Sequence, residues 1–75
     1  MAFIVCIHVD DDVDEHVYVS RTSGDIWSTR FTFNKLDAKR FSRISDAKFR
    51  RNSINNGSCY NKRYMYCKIH VLEVV

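Results

Sequence analysis

Seventy-five residues with 45% hydrophobic and 13% aromatic content describe one small folded domain, whose core is thin because so short a chain buries only about two thirds of its unfolded surface. The absence of proline and the presence of only two glycines exclude a linker or low-complexity tail. No apolar run approaches the roughly 20 residues that span a bilayer, and the opening Met1 to Val9 lacks the flanks of a secretory leader, so a cytoplasmic protein without a membrane partner or a buried cofactor is expected.

The net charge of +3 hides an asymmetry. Asp10, Asp11, Asp12, Asp14 and Glu15 crowd one loop, and outside it twelve basic residues face four acidic ones. Such a basic body with one acidic corner favours polyanions or an acidic protein surface as partners. Cys6, Cys59 and Cys67 are an odd number at spacings that match neither a disulfide framework nor a zinc ribbon, which predicts free thiols in a reducing compartment.

Phe3, Val5, Ile7 and Val9 alternate with Ile4, Cys6 and His8, which predicts a first strand over about Ala2 to Val9 with the Phe3 row in the core. The aspartate-rich loop ends it, since adjacent carboxylates repel and aspartate disfavours extended structure. Asp10, Asp12 and Asp14 echo the opening of a calcium-binding loop, but Glu15 and Arg21 stand where that loop wants glycine and a bidentate glutamate.

Alternation returns over His16 to Arg21 and Asp25 to Phe33. A three-residue loop, Thr22-Ser23-Gly24, would set Val19 against Trp27 and Val17 against Thr29, keeping Val17, Val19, Trp27, Phe31 and Phe33 on one face with Gly24 as a left-handed residue. Residues Asn34 to Ile54 carry the helical material. One continuous helix would smear Leu36, Ala38, Phe41, Ile44, Ala47 and Phe49 around too much of its circumference, so two short helices are expected. Asn34 would cap the first, with Asp37 at its third position. Ser45 would cap the second, with Ile44 and Phe49 as a hydrophobic staple. Asn55-Asn56-Gly57 is a strong stop signal.

The stretch Tyr64 to Val75 alternates most cleanly of all, with Met65, Cys67, Ile69 and Val71 facing the core and Tyr64, Tyr66, Lys68 and His70 facing outward. The expected fold is α+β: a three- to four-stranded, mostly antiparallel sheet in the order β-β-β-α-α-β, with one or two short helices on one face and the other face open.

The run TRFTFNKLDAKRFSRISDAKFRRN, with Trp27, Asp37-Ala38-Lys39-Arg40-Phe41, Ser45-Asp46-Ala47-Lys48 and the valine-rich Val71 to Val75, resembles many short uncharacterised bacteriophage proteins. The shared features are packing and capping motifs. The resemblance implies a phage-encoded accessory protein that binds and redirects a host protein, and it carries no catalytic or binding residue with it.

If the first and last strands are neighbours, the open face collects Cys6, His8, His16, Tyr18, Tyr64, Tyr66, Lys68 and His70. Aromatic rings interleaved with cations suit stacking on unpaired bases, or burial against a protein. The same residues equally suit a solvated strand face. Lys35, Lys39, Arg40, Arg43, Lys48, Arg50 and Arg51 against Asp37 and Asp46 make the helical segment basic, for phosphates, for an acidic partner, or simply for water. Asn61-Lys62-Arg63 extends that surface. Cys6, His8, His16 and His70 share a face but lack paired-ligand spacing, so no metal is expected. Two histidines with Arg30 or Lys68 are the one candidate for acid/base cleavage of RNA, and no nucleophile elbow or phosphate loop accompanies them.

The expectation is therefore a non-catalytic binding module whose contact residues are Tyr18, Tyr64, Tyr66, Lys68, His70, Lys39, Arg40, Arg43, Arg50 and Arg51. Its expected partner is a host protein or nucleoprotein complex. The alternatives are single-stranded nucleic acid, a second copy of the chain in a homodimer, or a small histidine-dependent ribonuclease.

Overall fold

A computed structural model describes residues 1–10, 15–25, 27–59 and 62–75. Most of the acidic loop, with Asp12 and Asp14 of the calcium-like echo, lies outside them, as do Ile26 and Asn61. The elements are β1 (Ala2–Asp10), β2 (Glu15–Val19), β3 (Phe31–Thr32), a 3-10 turn (Lys35–Asp37), α1 (Ile44–Asn55) and β4 (Lys68–Val74). They form the expected α+β fold: a four-stranded antiparallel sheet in the order β3-β2-β1-β4, with one α-helix among the described residues.

The first and last strands are neighbours, and β1 lies between β2 and β4. Its register sets Ile7 against Val17 and Ile69, and Val5 against Val71. Because side chains alternate between faces, these pairs place Val5, Ile7, Val17, Val19 and Phe31 on the helix side. There they pack with Phe41, Ala47, Ile54, Cys59 and Tyr64, and Phe3, Val9, Ile69 and Val71 complete the layer. The alternation read for β1 and for Ile69 and Val71 of β4 holds.

The helix departs from its expected form at its start and on its buried face. It begins at Ile44 with Arg43 in the cap position and no side-chain cap bond, so Ser45 lies within the first turn and does not cap it. Its buried stripe is Ala47, Arg50, Ser53 and Ile54, whereas Ile44 and Phe49, the proposed staple, are exposed. Small side chains at Ala47 and Ser53 let the helix approach the sheet closely, and the Ser53 hydroxyl is satisfied by the Phe49 carbonyl at 2.9 Å. The end is as expected. Ser58 N donates to Ser53 O at 2.9 Å and Gly57 N to Ile54 O at 3.3 Å, a Schellman closure with Gly57 at φ 79°.

The expected first helix is only the 3-10 turn. Asn34 does cap it, accepting from Leu36 N at 3.0 Å and donating to Asp37 at 3.3 Å. The chain then leaves helical geometry at Ala38 because the next residues bond to strands. Lys39 N donates to Val19 O at 2.7 Å, Arg21 N to Asp37 O at 2.8 Å, and Phe41 exchanges two 2.8 Å bonds with Phe3. Residues 38–41 thus fill the gap where β1 and β2 diverge. To reach that gap from β3 at the sheet edge, the chain crosses β2.

That crossing lies on the face opposite α1, where Cys6 points. Ile4 and Cys6 are buried there, and the Lys35 ammonium is close enough to oppose the rise that burial imposes on the Cys6 thiol pKa. The face expected to be open is therefore partly roofed, over Ile4, Cys6 and Ser20. Leu36, on the crossing segment, is exposed.

The hairpin also differs. The register joins Tyr18 to Thr32 and Val19 to Phe31, so the connection is far longer than Thr22-Ser23-Gly24, and Trp27 and Phe33 are exposed rather than in the core. Gly24 has no positive φ. Asp25 organises the turn instead: its Oδ1 accepts from Trp27 N, Ser28 N and the Ser28 hydroxyl at 3.0 to 3.1 Å, and these bonds hold its carboxyl below the ordinary pKa. No helix among the described residues is long and apolar enough to cross a membrane.

Candidate functional site

The residues expected to form one contact surface are dispersed. Tyr64 is 5% exposed, its ring meeting Phe31 edge-on at 4.6 Å. The cause is local. Residues 63–66 form turns, Met65 N bonding Lys62 O and Cys67 N bonding Tyr64 O at 3.2 Å, and Tyr66 takes a left-handed φ of 73°. The extended alternation therefore begins only at Lys68. Tyr66, 84% exposed, projects from that turn rather than from the sheet face.

Arg50 is likewise internal. It is 7% exposed, donates to the Thr29 hydroxyl at 3.1 Å and to Gly24 O at 2.9 Å, and stacks on Phe41 with its guanidinium carbon 5.6 Å from the ring centre. Burial lowers its pKa, and Cys59 and Asp25 oppose that shift. Lys39 donates to Ser23 O at 3.2 Å and lies over the Phe41 ring, while Arg40 donates to Val75 O at 3.0 Å. Arg43 is exposed at the helix start, and Arg51 bonds Asn52 at 3.3 Å. The basic stripe is split between structural bonds and separate surfaces.

On the outer sheet face, Tyr18, His70 and Lys68 do come together with Cys6, His8 and His16. Cys6 is flanked by Tyr18 and His70, and His8 by His16 and Lys68. The thiol of Cys6 is buried and shares a side-chain hydrogen bond with Tyr18. The His8 and His16 rings are 4.9 Å apart, and His8 Nε2 is buried without a hydrogen-bond partner among the described residues. No group of three or more His, Cys, Asp or Glu among the described residues is placed to hold a metal ion.

A different surface was not foreseen. Between the turn at Asp25 and α1 lies an open groove of about 420 Å³, lined by Asp25, Phe41, Asp46, Phe49 and Arg50. Phe49 is 61% exposed, and Trp27, on the Asp25 turn, is 51% exposed. The Asp25 and Asp46 carboxylates are exposed here, beside the Arg50 guanidinium that is turned onto Thr29 and Gly24 and the Lys39 ammonium that lies over the Phe41 ring. The groove is thus aromatic, with two exposed carboxylates on its rim. The Asp25-to-Ser28 spacing of an Asx turn was the available signal for it, masked by an alternating pattern that reads equally well as a strand.

No family model, curated protein or solved structure matches the chain.

Proposed function

We propose that this domain is a small non-catalytic module that binds a protein, gripping it in the groove between the Asp25 turn and α1. The observation that carries the reading is the outward placement of Phe49 and Trp27, on the two elements that flank the groove, in a chain short of core material. Aromatic residues are enriched at protein interfaces, and tryptophan is among the residues most enriched at their energetically dominant positions. Asp25 and Asp46 set the partner's chemistry: a basic group beside an apolar side chain. The resemblance to short phage proteins supports a host protein or nucleoprotein complex as that partner, in the host cytoplasm, with its modulation or inhibition as the outcome.

The test is a quantitative pull-down from host lysate with the wild-type domain, Phe49→Ser and Trp27→Ala. A stoichiometric protein retained by the wild type and lost by both variants supports the reading. Equal recovery by all three, or no stoichiometric protein, defeats it.

Single-stranded nucleic acid is the second reading. It is favoured by the exposed Tyr66 ring close in sequence to Lys68 and His70, which offers one stacking surface with cations. With Tyr64 and Arg50 in the interior, that platform lacks two of the contact residues expected of it.

A further inference from the structure

The two edges of the sheet are built differently. β3 contributes only two residues at one edge, which blunts it. At the other edge β4 presents seven, KIHVLEV, with neither glycine nor proline, and no strand among the described residues pairs with its outer side. A row of unpaired N–H and C=O groups on so long a strand is a template for another strand. Beside it runs a groove of about 300 Å³ lined by Arg51, Asn52 and Asn55 of α1 and by Cys67 and Ile69. Among the described residues its lining comes from α1, from the turn before β4 and from β4 itself, the strand at this edge. Glu73, paired with Phe3 and so on the same helix-side row as Ile69, is exposed.

We infer that β4 pairs antiparallel with β4 of a second copy about a two-fold axis through Val71, joining two sheets into one of eight strands. This is the register in which all seven residues of β4 find a partner. It sets Val71 against the partner's Val71, His70 against the partner's Leu72, Lys68 against the partner's Val74 and Ile69 against the partner's Glu73. Cross-strand neighbours stand about 5 Å apart at Cβ, so the partner's Glu73 reaches the mouth of the groove that Arg51 lines. Symmetry repeats the contact, giving two reciprocal carboxylate–guanidinium pairs. A foreign strand would need its own acid at that position, whereas a second copy carries it already. This surface shares no lining residue with the Phe49 groove, and the inference stands or falls independently of the proposed function.

Sedimentation velocity across about two decades of protein concentration tests it. The expected result is a reversible shift from the 8.9 kDa monomer to twice that mass. Arg51→Glu and Glu73→Arg each weaken the dimer by about tenfold or more, and the double variant, which exchanges the two charges, restores it. Glu73 is exposed and Arg51 half-buried, and unchanged far-ultraviolet circular dichroism of each variant confirms that folding is intact. Monomer at every concentration overturns the proposal, as does a dimer indifferent to either single charge reversal.

Discussion

Arg50 donates to the Thr29 hydroxyl at 3.1 Å, so the middle of α1 is bonded to the loop that leads into β3, twenty-one residues earlier in the chain. A second bond to Gly24 O at 2.9 Å anchors the start of the same loop. Arg50→Met keeps the stem's packing on Phe41 but leaves Thr29 without this donor, and it is expected to cost about 2 to 4 kcal/mol in chemical denaturation. Arg50→Lys recovers little of that, because an ammonium cannot span both acceptors as the planar fork does. A loss below about 0.5 kcal/mol for both variants would show that the loop is held by other means.

Tyr64 and Tyr66, two residues apart, are expected to behave oppositely. Tyr64→Ala empties a core position against Phe31 and lowers stability by about 3 kcal/mol. Tyr66→Gly relieves a left-handed conformation at φ 73° while loosening the unfolded chain, and it leaves stability within about 1 kcal/mol. Urea titrations of the two variants check the pair.

That contrast marks where the sequence could and could not be read. The strand rows of β1 and the Ile69 and Val71 row of β4 were legible because a two-residue period with apolar residues on one face has one low-energy placement. The Asn34 cap and the Gly57 stop were legible because their chemistry is local. The inward turn of Tyr64 is not legible because the turn at Lys62 to Cys67 is held by backbone bonds that leave no composition signal, and an alternating row of residues continues straight through it. Trp27 reads as inward only in the short-loop register, which the longer connection replaces, and Phe49 reads as a staple against Ile44 only if Ser45 caps the helix. The helix meets the sheet through Ala47, Arg50, Ser53 and Ile54, and Phe49, two residues on from Ala47, falls on the far side of it. Arg50 read as a surface cation because its burial depends on acceptors, Thr29 and Gly24, that only the folded loop supplies.

Asp25 links stability to pH. Its carboxylate accepts three hydrogen bonds and its pKa is lowered on folding, so its contribution is fully present above about pH 4 and is lost as the pH falls through the lower folded value. Asp25→Asn retains an acceptor oxygen and removes the charge. Its thermal midpoint is expected to fall below that of the wild type at pH 7, with the gap closing in acid. A gap of equal size at about pH 3 would mean that the charge is not the stabilising feature.

In fluorescence anisotropy with labelled single-stranded RNA, single-stranded DNA and duplex DNA, the domain is expected to bind weakly at low salt and to lose that binding near physiological salt, since Arg50 is internal and Tyr64 is in the core. Micromolar or tighter binding that survives the higher salt, prefers single strands and weakens by about 1 to 3 kcal/mol in Tyr66→Ala would make the outer turn a stacking site and displace the protein-binding reading.

The central claim, that the groove beside Phe49 holds a protein, is tested most directly by photo-crosslinking. A photoreactive phenylalanine analogue at position 49 is irradiated in host lysate beside the same analogue at exposed Leu36, on the opposite side of the sheet. One discrete adduct is expected from position 49, abolished by Trp27→Ala and absent from position 36. No adduct at position 49, or the same adducts from both positions, would contradict it.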